Sequence, residues 1–207
     1  MLESALYGIG HGRIGDVDAM QTVTDTEQIE RYRQGDTEAL SELVERYRRP
    51  LFGFILRMTN HNEDAEEIFQ EVWFKAINNL SRYRDHRFLS WLFRIAHNLV
   101  IDRSRRRKPE VFMDDENTTD RLAYQSGTES PSPADTLQEQ DMHHRIRKAV
   151  GQLPPEQREV FLMRMEADLP FKDIARIQKT SINTALARMS YALDKLRKTL
   201  ADDYAQL

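Results

Sequence analysis

Three segments in the first half of the chain place apolar residues three and four positions apart, the spacing of one helix face. The stripes contain Leu40, Leu43, Val44, Tyr47, Leu51, Phe54, Ile55 and Met58; then Ala65, Ile68, Phe69, Val72, Trp73, Ala76, Ile77 and Leu80; and then Phe88, Leu92, Ile95, Ala96, Leu99 and Val100. Asp36 and Asn62 precede the first two stripes as N-terminal caps, and Pro50 predicts a kink. With a short helix expected over 26–34, the pattern predicts a helical bundle.

The second half carries four shorter helical patterns. The first lies around 142–152, and Pro154-Pro155 then separates it from a helix over 156–166, whose first turn suits proline. A helix over 170–178 is followed by a break at Lys179-Thr180-Ser181 and by a long helix over 182–200, capped by Ser181. Two helices joined by about three residues have the form of a helix-turn-helix. No segment alternates as a strand does, so the chain is expected to be all-α.

The segment between these two halves, residues 109–141, has no apolar periodicity. It contains Ser130-Pro131-Ser132-Pro133 and nine acidic residues against the single basic Arg121. Such a composition buries too little apolar area to offset the entropy of the chain. We therefore expect two small helical domains joined by a flexible acidic linker.

The linker also changes what the net charge means. The whole chain carries −4, which by itself argues against a nucleic-acid partner. Residues 1–108 contain seventeen basic and seventeen acidic residues, the linker has a net charge of −8, and residues 142–207 have a net charge of +4. The acidity is thus confined to the linker, and both helical halves are free to carry basic surfaces.

Composition excludes several functional classes. With no cysteine, the chain has no disulfide, thiolate metal site or cysteine nucleophile. It has no apolar run of the roughly 20 residues that a membrane helix needs, so we expect a cytoplasmic protein without membrane insertion. His61 with Glu63 and Asp64, or His143-His144, lack a third ligand in register. We therefore expect no metal, no cofactor and no enzymatic activity.

Two places carry side chains suited to nucleic acid. The third stripe ends in the basic run 103–108, on a helix that also holds Trp91, Phe93 and Asn98. Cations attract phosphates, while aromatic and amide groups stack on or hydrogen-bond to unpaired bases. A solvated basic helix end is the alternative for this run. Polar residues that could reach base edges or phosphates begin the second helix of the helix-turn-helix: Ser181, Asn183, Thr184 and Arg188.

These residues also carry a family resemblance. The runs DAEEIFQEVW at 64–73 and FLSWLFRIAHNLVIDR at 88–103 resemble region 2 of the extracytoplasmic-function (group IV) sigma factors of bacterial RNA polymerase. The runs LPPEQREVF at 153–161, FKDIA at 171–175 and TALAR at 184–188 are similar to their region 4. The likeness covers roughly residues 25–200 in order. It implies region 2 over 25–108, a linker over 109–141 and region 4 over 142–207, and the glycines of residues 1–24 predict a flexible extension before them.

The resemblance implies roles for region 2. Its second helix binds the clamp helices of core RNA polymerase, which points to Asp64, Glu67, Gln70, Glu71 and Trp73. Its third helix and the loop before it melt the −10 element and hold flipped bases. Candidates for base readout are Arg84, His86, Arg87, Trp91 and Asn98, although Trp91 and Phe93 also fit core positions. Candidates for phosphate contacts are Arg103, Arg105, Arg106, Arg107 and Lys108.

Region 4 of the family reads the −35 duplex with the second helix of its helix-turn-helix. The candidates here are Arg176, Lys179, Ser181, Asn183, Thr184 and Arg188. The sequence departs from the usual pattern at two points: Lys179 replaces a glycine in the turn, and TALAR replaces Thr-Val-Lys-Ser-Arg. The missing lysine removes one expected cation, so the identity of the −35 readers is open.

The resemblance also implies partners and a mode of regulation. These are core RNA polymerase (clamp helices and flap), promoter DNA and an anti-sigma factor, in a setting of stress response. Two alternatives stay open on the residues alone: a dimeric helix-turn-helix repressor or activator, and a metal-dependent enzyme. The first 24 residues match nothing in the family, and Met20 is a second candidate translation start.

Overall fold

The computed structural model describes residues 23–84, 87–106, 142 and 144–205, with side chains to residue 201. Within these ranges the chain forms eight helices and no strand, which confirms the predicted all-α class. The N-terminal extension to residue 22 and the linker lie outside the described residues. The helices divide into a first lobe, α1 to α4, and a second lobe, α5 to α8.

Local hydrogen bonds set the start of the first two helices. In α1 (Asp25–Arg33), Thr24 and Glu27 form a reciprocal capping box, and its bonds to the Glu27 carboxylate lower the pKa of that group. In α2 (Thr37–Thr59), Asp36 accepts from the backbone N–H groups of Glu38 and Ala39, as its capping position predicted. Pro50 lies inside α2, and the helix continues through it.

The predicted apolar stripes build the core of the first lobe. Helix α2 packs against α3 (Asn62–Leu80) and α4 (Phe88–Arg106), and the three bury Phe54, Phe88 and Phe93 almost completely. The Phe54 and Phe93 rings lie 5.0 Å apart. Each such side chain contributes about 1.5–3 kcal/mol on burial. The packing of these stripes therefore sets the orientation of α3, which carries several acidic side chains, and of the basic end of α4.

The second lobe contains the predicted helix-turn-helix. It comprises a helix α5 over 144–151, α6 (Pro155–Ala167), α7 (Phe171–Ile177) and α8 (Ile182–Ala205). Helix α8 packs across α6 and α7 through Ala185, Ala192 and Leu196, each fully buried. The turn between α7 and α8 bends at Lys179, whose φ of 53° is left-handed. Glycine adopts that conformation without steric cost, whereas a lysine with its Cβ atom does not.

The buried side chain of Arg158, on α6, binds backbone oxygens at the end of α5 and in the connection that follows it. Its side chain is 6% exposed and donates to the carbonyls of Gly151 and Leu153, which end α5 and precede α6. Burial lowers the pKa of its guanidinium. The arginine thus satisfies backbone oxygens that the break at Pro154 leaves outside helical hydrogen bonding.

The two lobes pack directly on each other. Helix α6 lies against α2 and α7 lies against α4, so that the buried residues of both lobes form one cluster. An ion pair joins Arg57 to Glu166 at 2.8 Å, and a second set joins Arg87 and Ser90 to the buried carboxylate of Asp173. The charge pattern predicted two lobes but not this contact, because pairing over long sequence separations leaves no local signal.

Candidate nucleic-acid interface

A cleft lies between the end of α3 and the middle of α4. It encloses about 360 Å³ and is lined by Lys75, Asn79, Arg82, Tyr83, Trp91, Ile95 and Asn98. One wall is aromatic: the half-buried Trp91 ring lies 4.8 Å from Tyr83 and 5.6 Å from Phe88, between centroids. The cleft is within the size range of small-molecule sites.

The chemistry of this cleft suits an unpaired base. Its aromatic wall offers a stacking surface, its two asparagine amides offer hydrogen bonds, and Arg82 brings positive charge, whereas Lys75 is paired with Glu71. Of the predicted −10 residues, the structure brings Trp91 and Asn98 into this cleft. The prediction missed Lys75, Asn79, Arg82 and Tyr83. The sequence signal that could have found two of them is their polar character outside the apolar stripe, since Lys75 and Asn79 lie one helical turn apart.

The other predicted base readers lie apart from the cleft. Arg84 donates to the backbone oxygens of Ser81 and Tyr83, so its guanidinium is held on its own loop. Arg87 is engaged across the lobes with Asp173. His86 lies outside the described residues.

The basic end of α4 divides into two parts. Arg103 turns back to α3, where it lies 3.3 Å from Asp64 and 2.7 Å from Glu67, and the Glu67 bond raises its pKa. Arg105 and Arg106 are exposed. Arg103 therefore pairs with two carboxylates of its own lobe in this conformation, and its contact with phosphate stays a prediction. Arg107 and Lys108 lie outside the described residues.

The predicted polymerase-binding residues of α3 also divide by burial. Glu67 and Gln70 are exposed, and Glu71 pairs with Lys75 at 3.0 Å on the same surface. Trp73 instead belongs to the core, 6% exposed, with its ring against Phe69 and Phe88. Asp64 is also 6% exposed and faces Arg103. In this conformation the side chains of Trp73 and Asp64 lie on the buried side of α3, where they are not exposed to a partner protein.

In the helix-turn-helix, several predicted −35 residues hold the motif itself. Ser181 accepts from the backbone N–H of Thr184 at 3.0 Å, and the two hydroxyls lie 2.8 Å apart. Arg188 donates to Gln178 at 2.7 Å. Lys179, Asn183 and Arg176 are exposed, although Arg176 lies 3.8 Å from Asp173. Of the predicted −35 residues, Arg176, Lys179, Ser181 and Asn183 are thus exposed, whereas Thr184 and Arg188 are half-buried.

Two further searches covered the described ranges only. No helix there is long and apolar enough to span a bilayer. No group of three or more histidine and acidic side chains there has the arrangement of a metal site. His143 lies outside the described residues.

In comparisons with known proteins, each of the two lobes matches a separate family model. Residues 43–110 match the family model for sigma-70 region 2, and residues 143–196 match that for sigma-70 region 4. The ECF RNA polymerase sigma factor SigW of Bacillus subtilis is 29% identical over 179 residues, covering 84% of this chain and 96% of its own. RNA polymerase sigma-H factor of Pseudomonas aeruginosa is 27% identical over 183 residues, covering 85% and 93%.

Solved structures show the same fold at lower identity. A structure of CnrH in complex with the cytosolic domain of CnrY matches with a TM-score of 0.60 at 20% identity, covering 86% of this chain and 98% of that one. A co-crystal structure of the sigma factor RpoE with the anti-sigma factor NepR from Bartonella quintana matches with a TM-score of 0.57 at 20% identity, covering 78% and 96%.

Proposed function

The chain belongs to the sigma-70 family, in its extracytoplasmic-function group, and from this membership we propose how its surfaces direct core RNA polymerase to promoters. The protein works as a promoter-recognition subunit and has no catalytic activity of its own. The first lobe binds the polymerase and the −10 element, and the second lobe binds the −35 element.

The exposed side of α3 is the proposed contact with the polymerase clamp. Glu66, Glu67 and Gln70 lie on this side, with Glu71 beside them. Acidic side chains at the surface suit a basic partner and speed its association. Trp73 and Asp64 support this surface from the core.

The aromatic cleft between α3 and α4 carries the proposal for the −10 element. A base taken out of the duplex costs a few kcal/mol, which stacking and hydrogen bonds in a pocket must offset. Trp91 and Tyr83 supply the stacking wall, and Asn98 supplies an amide at the same cleft. Exposed Arg105 and Arg106 lie further along α4, where they can hold the phosphates of the same strand.

Reconstituted transcription tests this function. Core polymerase with the purified protein is expected to start RNA at defined genomic promoters, whereas core polymerase alone does not. Removing a base contact costs about 1–3 kcal/mol. We therefore expect Asn98→Ala to reduce promoter melting, measured by permanganate reactivity of unpaired thymines, by about tenfold.

The matched control is Lys198→Ala, which removes an exposed polar side chain far along α8. It is expected to leave melting unchanged. If Asn98→Ala melts promoters as well as the control does, the cleft is not the base site. If the unaltered protein starts no promoter, the function itself is wrong.

A regulatory partner is also part of the proposal. The RpoE relative was solved with an anti-sigma factor, and CnrH was solved with the cytosolic domain of CnrY. We propose that a protein of this kind binds the present chain. The acidic side of α3 and the exposed start of α8 are the surfaces it would have to cover to block polymerase and promoter.

A further inference from the structure

The start of α8 presents an unusual surface for a helix that enters the major groove. Among the described residues, the large apolar side chains with high exposure are Phe74, Ile182, Leu186 and Tyr191, and three of these lie on α8. Ile182 is 45% exposed and Leu186 is 44% exposed. They lie one helical turn apart, so they form a single apolar strip.

The strip runs along the edge of the exposed side of the helix. Ala185, Ala192 and Leu196 lie about a quarter of a turn away, where they are fully buried against the second lobe. Beside the strip, the outward side carries Asn183, Ala187 and Ser190, all exposed. Of these neighbours, only Asn183 carries an amide suited to a base edge.

The arginine that could read guanine is held elsewhere. Arg188 is half-buried and donates to Gln178, whose amide in turn donates to the buried carboxylate of Glu159 at 2.5 Å. This chain of bonds ties one guanidinium nitrogen of Arg188 to the body of the lobe and directs the group towards Gln178. Specific contact with guanine by arginine needs two free donors aimed into the groove.

The charges around the strip fit a nucleic-acid duplex. Lys172, Arg176 and Lys179 are exposed on α7 and in the turn, and Asp173, the acid on α7, is buried. From Ile182 to Leu193, α8 carries no acidic residue, and its first is Asp194. An apolar strip flanked by cations complements a major groove, in which methyl groups lie between two rows of phosphates.

Resting on the proposed function, we infer that Ile182 and Leu186 read thymine methyl groups in the −35 element, beside an adenine bound by Asn183. Four residues of helix advance about 6 Å, close to two base-pair steps of about 3.4 Å. The two side chains can therefore meet methyl groups on base pairs that are two steps apart. The element is accordingly rich in A·T pairs, and Leu186 takes over specificity at the position where the usual family pattern has lysine.

Replacing thymine by uracil tests the inference on the DNA side. Uracil lacks only the methyl group, so base pairing and phosphate charge stay the same. Synthetic promoter templates carry uracil at one −35 thymine at a time, and reconstituted polymerase is assayed for initiation at limiting protein. Loss of one buried methyl-sized group corresponds to about fourfold weaker binding. We expect that drop at one or two positions, and no drop for uracil outside the element.

Protein variants assign the effect to the strip. Leu186→Ala and Ile182→Ala are each expected to reduce initiation on the thymine template by about fourfold or more, with one of the uracil substitutions then causing no further loss. The matched control is Tyr191→Ala, which removes a 62% exposed apolar side chain further along the same helix. It should leave uracil sensitivity intact. Circular dichroism checks that all three variants keep their helix content.

The outcomes separate this inference from the proposed function. Promoter-specific initiation that is indifferent to every uracil substitution, or a −35 element without thymine, overturns the inference and leaves the function standing. Full uracil sensitivity in both alanine variants also overturns it. Failure to initiate on any promoter template that carries no uracil overturns the proposed function itself.

Discussion

Lys179 occupies a backbone position that costs free energy for any residue with a Cβ atom. Its φ of 53° is left-handed, a conformation that costs non-glycine residues roughly 1–2 kcal/mol. Replacing the lysine with glycine removes this cost. Part of the resulting gain in stability is lost again, because glycine has more conformational freedom in the unfolded chain. We predict that Lys179→Gly stabilises the second lobe by about 0.5–1 kcal/mol, measured by urea unfolding followed by circular dichroism.

Lys179→Ala separates the backbone effect from the charge. It removes the same cation but keeps a Cβ atom, so it is expected to unfold at the same urea concentration as the original chain. Equal midpoints for the glycine and alanine variants would show that the turn is unstrained. Both variants lose one phosphate contact, so the salt dependence of duplex binding should fall equally in the two.

At the level of elements, Arg103 and its neighbours Arg105 and Arg106 look equivalent in the sequence, yet only Arg103 reaches α3. Its partner Asp64 is largely buried, and hydrogen bonds to charged groups contribute about 1.5–3 kcal/mol. We predict that Arg103→Ala destabilises the first lobe by about that amount. Trp73 and Trp91, the two tryptophans of the chain, both lie in this lobe, and the fluorescence of the buried Trp73 reports its unfolding, whereas Trp91 also borders α7.

The double variant Arg105→Ala, Arg106→Ala is the comparison for this prediction. Its unfolding midpoint should stay within about 0.5 kcal/mol of the original, as for surface changes in general. Its binding to −10 single strands should weaken, with a salt slope smaller by about 1.4 for two lost phosphate contacts. The assignment is wrong if Arg103→Ala keeps full stability and loses DNA affinity in the same way.

These arginines also show what local sequence can and cannot predict. The helices, the Asp36 and Ser181 caps and the helix-turn-helix follow from residues within one or two turns of each other, and the structure has them where the pattern placed them. The pairing of Arg103 with Asp64, the burial of Trp73 and the Arg87–Asp173 contact depend on how helices pack. Periodicity defines which face of a helix is apolar but not which charged side chain meets another across the fold.

At the scale of the whole molecule, the contact between the lobes conflicts with simultaneous binding of two promoter elements. The resemblance implies elements about 17 base pairs apart, which is roughly 55–60 Å along the duplex. The 33 residues of the linker can extend to about 110 Å, so the covalent connection permits that separation. The packing of α6 on α2 and of α7 on α4 instead holds the two lobes side by side. We therefore predict that the lobes separate when the protein binds both elements.

A reversible crosslink between the lobes tests this prediction, and the absence of cysteine in the chain makes it practical. A Cβ atom at Gly53 would lie 3.3 Å from a carboxylate oxygen of Glu166 on the opposite lobe. We predict that Gly53→Cys, Glu166→Cys, joined by a short thiol reagent with a cleavable bond, loses initiation at promoters with both elements. Cleaving the reagent should restore it. Gly53→Cys alone, carrying the same reagent, controls for the added group, and normal initiation by the joined protein would show that the lobes act without separating.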